Sequence, residues 1–485
     1  MSTQPRSSAG SVIAEFRAEQ ISRGITGELV RGWGGLRFSR VSTDSRSAAP
    51  GSLFVAIRGD RFDGHNYVAD AAAQGAAGAV VQVGARRNLR LGRQIALIEV
   101  EDTLRALGDL ARLLRRAHPV PLVAVTGSCG KTTTKELLYA ALTVGGHRVL
   151  KSEGNYNNQI GVPLTLFKLE RQHEAVVIEM GMNRLGEIAR LTEICEPDVG
   201  LITCVAAAHT EGLGDIDGVA RAKGELFSGL RGSAWAAVNL DDARIADMAT
   251  LARRLTFTTR ANEKADVHGT LLADRGLEGI DFELDIRGKT AEVHLALLGE
   301  HNLHNALAAA TAAFALKVPV AEIAAGLASY RPFAKRLHPS LAPGGWWVIN
   351  DAYNANPASM AAGLRAASRV AETTQGRLFA ALGEMLELGA VADDAHREVG
   401  LLCGELRASV LAYLAEGRGA LYGEGAAAAG VEAIAAPSCE EIARRLRACL
   451  RPGDVVLVKG SRRTGMERVA EALLEPEAAH PSAAV

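Results

Sequence analysis

Leu122-Val-Ala-Val-Thr-Gly-Ser-Cys-Gly-Lys-Thr-Thr-Thr134 decides how the rest of the chain is read. The apolar run Leu122 to Val125 predicts a buried strand that breaks at Gly127. Apolar residues then recur at helical spacing through Leu137, Leu138, Ala141 and Leu142. Between strand and helix stand Gly127, Ser128, Cys129, Gly130, Lys131, Thr132 and Thr133. Glycines let backbone N–H groups turn inward around phosphate oxygens. The helix offers its positive end, lysine a mobile charge, and threonine a hydroxyl for Mg²⁺. The spacing is shorter than the general Gly-x-x-x-x-Gly-Lys-[Ser/Thr], because Thr126 occupies part of the usual loop. A bare glycine turn with an exposed lysine is the plainer alternative. Strand, loop, Gly-Lys-Thr and helix coincide in one place, however, and the stretch is read as a nucleoside triphosphate site.

The 485 residues are too many for one core and suggest about three domains. Hydrophobic content of 48% and charged content of 22% describe an ordinary globular chain. A net charge of −1 and 5% aromatic residues give no case for nucleic acid or a membrane surface. The six cysteines show no CxxC spacing and no close histidine pattern, so they are expected as reduced, mostly buried thiols. Cys129 is expected to use its backbone N–H rather than its sulfur. The polar start Met1 to Gly10 lacks an apolar h-region, and no apolar run approaches the ~20 residues of a membrane span. The expectation is a cytoplasmic protein, with Ala478 to Val485 as a frayed tail.

The fold class expected is α/β in three domains. The first, residues 1–118, carries strands at Ser52 to Ile57, Gly78 to Gln82 and Ala96 to Val100, and a helix from Thr103 to Arg116. His118-Pro119 marks its end. Thr43-Asp44-Ser45-Arg46 and Asp63-Gly64-His65-Asn66 read as capped turns. The second domain, residues 119–333, is a phosphate-loop domain with a parallel sheet. Its strands include Ala175 to Gly181, Val199 to Val205 and Ala234 to Asn239. A hairpin spans Arg287 to Thr290, and an alanine-rich helix from Asn302 to Leu316 closes it. The third domain, residues 334–485, reads as a second, Rossmann-like parallel sheet with strands at Trp346 to Asp351, Arg377 to Leu382 and Asp454 to Lys459, but no second phosphate loop.

Ligands of open parallel sheets bind beyond the carboxyl ends of the strands. Glu179 ends one strand and is placed to hold Mg²⁺; capping the next helix is the alternative. His209 follows another strand, where a metal or phosphate role and a structural one are evenly matched. By default Lys223 is a solvated surface lysine. The loop Glu153-Gly-Asn-Tyr-Asn-Asn158 can close a turn or read a sugar or peptide through its amides.

Thr126 to Thr133, Glu179-Met-Gly181, His209, Lys223-Gly-Glu225, Gly299-Glu-His-Asn302 with Asn305, and Asp351-Ala-Tyr-Asn-Ala-Asn-Pro357 together resemble the bacterial Mur ligases, in order and over nearly the whole chain. The loops at 153–158 and 353–357 favour the member that adds D-alanyl-D-alanine to UDP-N-acetylmuramoyl-tripeptide, and the Asp-Asn-Pro-Arg motif of the diaminopimelate-adding relative is not found. The resemblance implies an ATP-dependent ligase that makes an acyl phosphate, which an amine then attacks. It implies Lys131 and the loop on the phosphates, with Thr132 and Glu179 on a first Mg²⁺. His209 would sit on a second Mg²⁺, and Lys223 would be carried as a carbamate that ligates metal. Asn302 and Asn305 would lie near adenine, and Arg336 and Asp351 on the nucleotide side. Ser45 and Arg46 would bind the UDP part, Asn155 and Asn158 the muramoyl-peptide, and Asn354, Asn356 and Lys459 the D-alanyl-D-alanine. A monomer is implied. Phe333-Ala-Lys335 departs from the family's Pro-Gly before the arginine, Cys129 from its serine or asparagine, and Asn350-Asp351-Ala352 from its Asp-Asp-Ser. Another ligase of this superfamily is the nearest alternative. A phosphate-loop kinase or switch is the more distant one, and no guanine-reading Asn-Lys-x-Asp is present.

Overall fold

In the computed structural model, which describes residues 16–59, 62–89, 91, 95–332 and 336–476, strands gather into three sheets. Phe333 to Lys335, the N-terminal ten residues and the tail after Ala478 lie outside the described residues. The first sheet runs in the order Glu28–Arg31, Ala96–Val100, Gly78–Gln82, Ser52–Val55, Arg40–Ser42, with only its first pair antiparallel. Its capped turns form as expected: Asp44 accepts the Arg46 N–H, and Asp63 accepts that of His65.

The phosphate-loop strand, Leu122–Thr126, lies inside the second sheet between Val199–Ile202 and Ala175–Glu179, parallel to both. All five of its residues are buried, which a strand with helices on both faces requires. Beyond Val199–Ile202 the sheet continues through Trp235–Asn239, Arg253–Thr258, Val267–Asp274, Ile280–Ile286 and Lys289–Leu295. The last two form a hairpin closed by Arg287 and Gly288, both at positive φ (52° and 83°), the two-residue turn that matches strand twist. Two strands of this extension, Arg253–Thr258 and Val267–Asp274, escaped the sequence reading. The strand expected to reach Val205 stops at Ile202, because Thr203 and Cys204 turn toward the phosphate loop.

The helix after the loop, Lys131–Val144, packs against His301–Ala315 and against a further helix, Val320–Ser329, so the alanine-rich helix does not close this unit. Gly326 meets this contact, where an added Cβ would come within 2.4 Å of the Ala141 Cα. The third sheet orders His338–Leu341, Trp347–Asp351, Val455–Lys459, Leu378–Leu382, Val410–Leu414 and Glu432–Ala436. It is parallel except at its first strand, an antiparallel edge absent from the sequence reading. Among the described residues no helix is long and apolar enough to cross a membrane.

Replacing Gly326 by valine should lower the thermal unfolding midpoint and cost about 1–3 kcal/mol, the usual penalty of overpacking. Differential scanning calorimetry of the variant checks this.

Candidate active site

Two conformational demands shape the phosphate loop. Gly127 (φ +152°) would place a Cβ 1.8 Å from Thr203 Oγ1, and Gly130 (φ +78°) would place one 2.2 Å from Asn305 Oδ1. Only glycine fits at either position. Lys131 begins the helix, and its Nζ donates to the Gly127 carbonyl at 2.7 Å, curled back over the loop. Ser128 Oγ donates to the Ala206 carbonyl and accepts from its own partner's N–H, tying the loop to the segment after the neighbouring strand.

Glu179 ends its strand and is only 3% exposed. It does not cap the following helix. Instead Thr132 Oγ1 donates to its Oε2 at 2.8 Å, Asn157 Nδ2 donates to its Oε1 at 2.9 Å, and Lys135 Nζ lies 3.6 Å away. Asn157, passed over in favour of Asn155 and Asn158, is therefore the loop asparagine that orients the acid. Asn158 Oδ1 accepts the N–H groups of Ile160 and Gly161 just before the next helix, and with Asn155 it lines the cavity.

His209 stands at positive φ (58°), seven residues past its strand, and its Nδ1 is 2.7 Å from Glu387 Oε2 of the third unit. Thr210 Oγ1 reinforces this junction by donating to the Leu388 carbonyl. Burial, and then the Lys131 charge, push the His209 imidazole below its usual pKa against the pull of Glu387. Sequence reasoning missed Glu387, because its role depends on a contact 178 residues away.

Lys223 is not a solvated lysine. It is 2% exposed, lines the same cavity as the loop, and has no hydrogen-bond or ion-pair partner among the described residues. Burial, and then Lys131, bring its amine down to about 7. A buried ammonium without a partner is unfavourable, and that cost favours the neutral amine. Among the described residues no three His, Cys, Asp or Glu side chains form a metal site. Thr132 and Glu179 offer hard oxygen donors suited to Mg²⁺, His209 adds a neutral nitrogen, and a carbamate on Lys223 would supply the missing anionic oxygens.

The third sheet contributes the opposite wall. Asp351 and Lys459 end paired strands, and Lys459 Nζ sits 2.5 Å from Asp351 Oδ2 and 2.9 Å from the Asn354 carbonyl. Asn356 caps the helix Pro357–Thr374 and donates through Nδ2 to the Ser128 carbonyl at 3.3 Å. Arg336 donates to Thr132 Oγ1 at 3.0 Å while its guanidinium lies 4.1 Å from the centre of the Tyr353 ring; Arg462 lies 5.3 Å from the same ring. Asn302 and Asn305 are bonded to each other and line the cavity with Thr133. The cavity holds ≈ 1500 Å³. Ser45 and Arg46 lie elsewhere, on a second cavity of ≈ 570 Å³ with Phe54 and Tyr67.

Residues 125–313 match the Mur ligase middle domain, residues 335–462 the Mur ligase glutamate ligase domain, and residues 37–115 the catalytic domain of the Mur ligase family. The chain is 36% identical over 438 residues to the UDP-N-acetylmuramoyl-tripeptide--D-alanyl-D-alanine ligase of Escherichia coli, covering 90% of this chain and 93% of that one. A crystal structure of MurF from Acinetobacter baumannii superposes with a TM-score of 0.85 at 31% identity, covering 95% and 99% of the two chains. MurF ligase from Thermotoga maritima in complex with ADP gives 0.77 at 27% identity, covering 90% and 96%.

Burial brings the His301 imidazole down to about 4, with Asp351 opposing and Lys459 adding to the shift. The unfolded imidazole titrates near ~6.5. Between those values the unfolded chain holds the extra proton, so stability should fall as pH is lowered through that window. Urea unfolding at pH 7 and pH 5 should show the loss, and His301→Asn should reduce it.

Proposed function

The chain belongs to the Mur ligase family, and from that premise we propose how its residues carry out the reaction. It is an ATP-dependent ligase that joins D-alanyl-D-alanine to UDP-N-acetylmuramoyl-tripeptide in peptidoglycan synthesis. The observation that carries the assignment of roles is the meeting of two sets of residues, one from each sheet's side, on one cavity. Lys131, Thr132, Glu179, His209 and Lys223 come from one sheet's side, and Asp351, Asn354 and Lys459 from the other's.

A carboxylate has no leaving group, so amide formation needs it activated as an acyl phosphate, and two anions must first be brought together. The loop N–H groups and Lys131 hold the β- and γ-phosphates of ATP. Arg336, steadied against Tyr353, brings a second cation beside Thr132. Thr132, Glu179, His209 and Lys223 as its carbamate would hold two Mg²⁺ ions, which when bound neutralise phosphate and carboxylate charge. Asn157 keeps Glu179 turned toward Thr132, and Glu387 fixes the His209 ring so that Nε2 faces away from the bonded Nδ1. After phosphoryl transfer, the dipeptide amine attacks the acyl carbon and phosphate leaves.

In this proposal residues 1–118 bind the UDP end through Ser45 and Arg46, residues 119–333 bind ATP, with Asn302 and Asn305 toward adenine, and residues 334–485 present the dipeptide through Asn354 and Asn356. Lys459 acts by setting Asp351 and the Asn354 backbone. The muramoyl-peptide runs past Asn155 and Asn158. The enzyme works as a monomer, since one chain supplies both walls, and in the cytoplasm, where ATP and a UDP-linked precursor are found together.

Phosphate release from ATP and Mg²⁺ with the UDP-linked tripeptide should require D-alanyl-D-alanine. Release with diaminopimelate or lysine and none with the dipeptide would overturn the roles given to the third domain. Lys223→Ala should lower kcat at least about a hundredfold, the scale of a lost electrostatic stabiliser, with partial recovery in added formate or propionate. Full activity in that variant would remove the carbamate from the scheme.

A further inference from the structure

Two of the six cysteines, expected as reduced thiols, meet at the phosphate loop. Cys129 Sγ and Cys204 Sγ are 2.7 Å apart, and the Cys129 backbone N–H points at Cys204 Sγ at 3.4 Å. Both residues line the large cavity and neither is fully buried. The arrangement follows from topology. Cys129 lies just past the phosphate-loop strand and Cys204 just past its neighbour, and Thr203 Oγ1 donates to the Cys129 carbonyl at 2.5 Å, holding the two segments side by side. Two of the others differ: burial pushes the Cys195 and Cys403 thiols up to about 12, which makes them inert.

We propose that Cys129 and Cys204 form an oxidisable thiol pair, and that joining them as a disulfide turns off nucleotide binding at the loop. The oxidant class is a hydroperoxide. The Cys204 thiolate attacks one peroxide oxygen, the O–O bond breaks, and the released hydroxide leaves as water after taking a proton. Cys129 sulfur then attacks the sulfenic sulfur; the S–O bond breaks, the S–S bond forms, and a second water departs with the Cys129 proton. Two electrons pass from the thiols to the peroxide. The roles are assigned in this order because the hydrogen bond from Cys129, the Cys129 N–H and the nearby Lys131 favour the Cys204 thiolate, while the same contact and burial disfavour that of Cys129. Once bridged, Cys129 is tied to the neighbouring segment, its N–H stays against sulfur, and the loop can no longer close around phosphate. The disulfide is a reversible block, and it is specific to a chain with cysteine at both positions.

The inference rests on the ATP-site reading, and the test separates the two. Reduced enzyme is titrated with Mg²⁺-ATP by calorimetry; absence of binding there would sink the ATP site itself. The enzyme is then treated with hydrogen peroxide, cleared of it with catalase, and titrated again. Affinity should fall about tenfold or more, the scale of one or two lost charge-assisted hydrogen bonds, and return with dithiothreitol. Peptide mass spectrometry should find residues 129 and 204 linked, lighter by two hydrogens. Cys204→Ser should bind ATP like the reduced enzyme before and after peroxide. Unchanged affinity in the linked protein, absence of the linked peptide, or an equal reversible loss in Cys204→Ser would each overturn the proposal.

Discussion

The phosphate loop has no space for a Cβ at either of its glycines, and this close packing organises the site around it. Gly127 is pressed against Thr203 and Gly130 against Asn305, so the loop is gripped by the segment after the neighbouring strand and by the alanine-rich helix. Backbone N–H groups that are to meet phosphate cannot also pair within a sheet or helix. Here the segment after the neighbouring strand holds the loop in place, with the Ser128 N–H on the Cys204 carbonyl and the Cys129 N–H on the Cys204 sulfur. The same grip brings Cys204 beside Cys129 and Ser128 beside Ala206.

Around that loop, charge is arranged with few free partners. Glu179 is satisfied by Thr132, Asn157 and Lys135, and Asp351 by Lys459. Among the described residues Lys223 is buried, cavity-facing and unpaired in the central group. The wall opposite belongs to another sheet, and the bonds from Asn356 to Ser128, Arg336 to Thr132 and Glu387 to His209 run directly between the two. These contacts make the site sensitive to the relative position of its domains, as expected of a ligase that must align three substrates.

Much of this was legible in the chain. Leu122–Thr126 and its loop could be read from residue order, because a fully apolar strand, two glycines and Gly-Lys-Thr have few other uses together. Glu179 could be found as a carboxylate at a strand end. The edge strand His338–Leu341 and the strands at 253–258 and 267–274 were not legible, since partly exposed strands of mixed composition carry weak periodicity and depend on neighbours for pairing.

Residue order by itself determined the fold class, the triphosphate site and the family, because those rest on local patterns of apolar spacing, glycine and charge. Tertiary structure alone decided which residues complete the site. Asn157 rather than its neighbours meets Glu179, Glu387 reaches His209 from 178 residues away, Lys223 is stripped of water, and Cys129 finds Cys204. Each depends on how separate segments come to rest against one another in space, and separation along the chain says nothing about that distance.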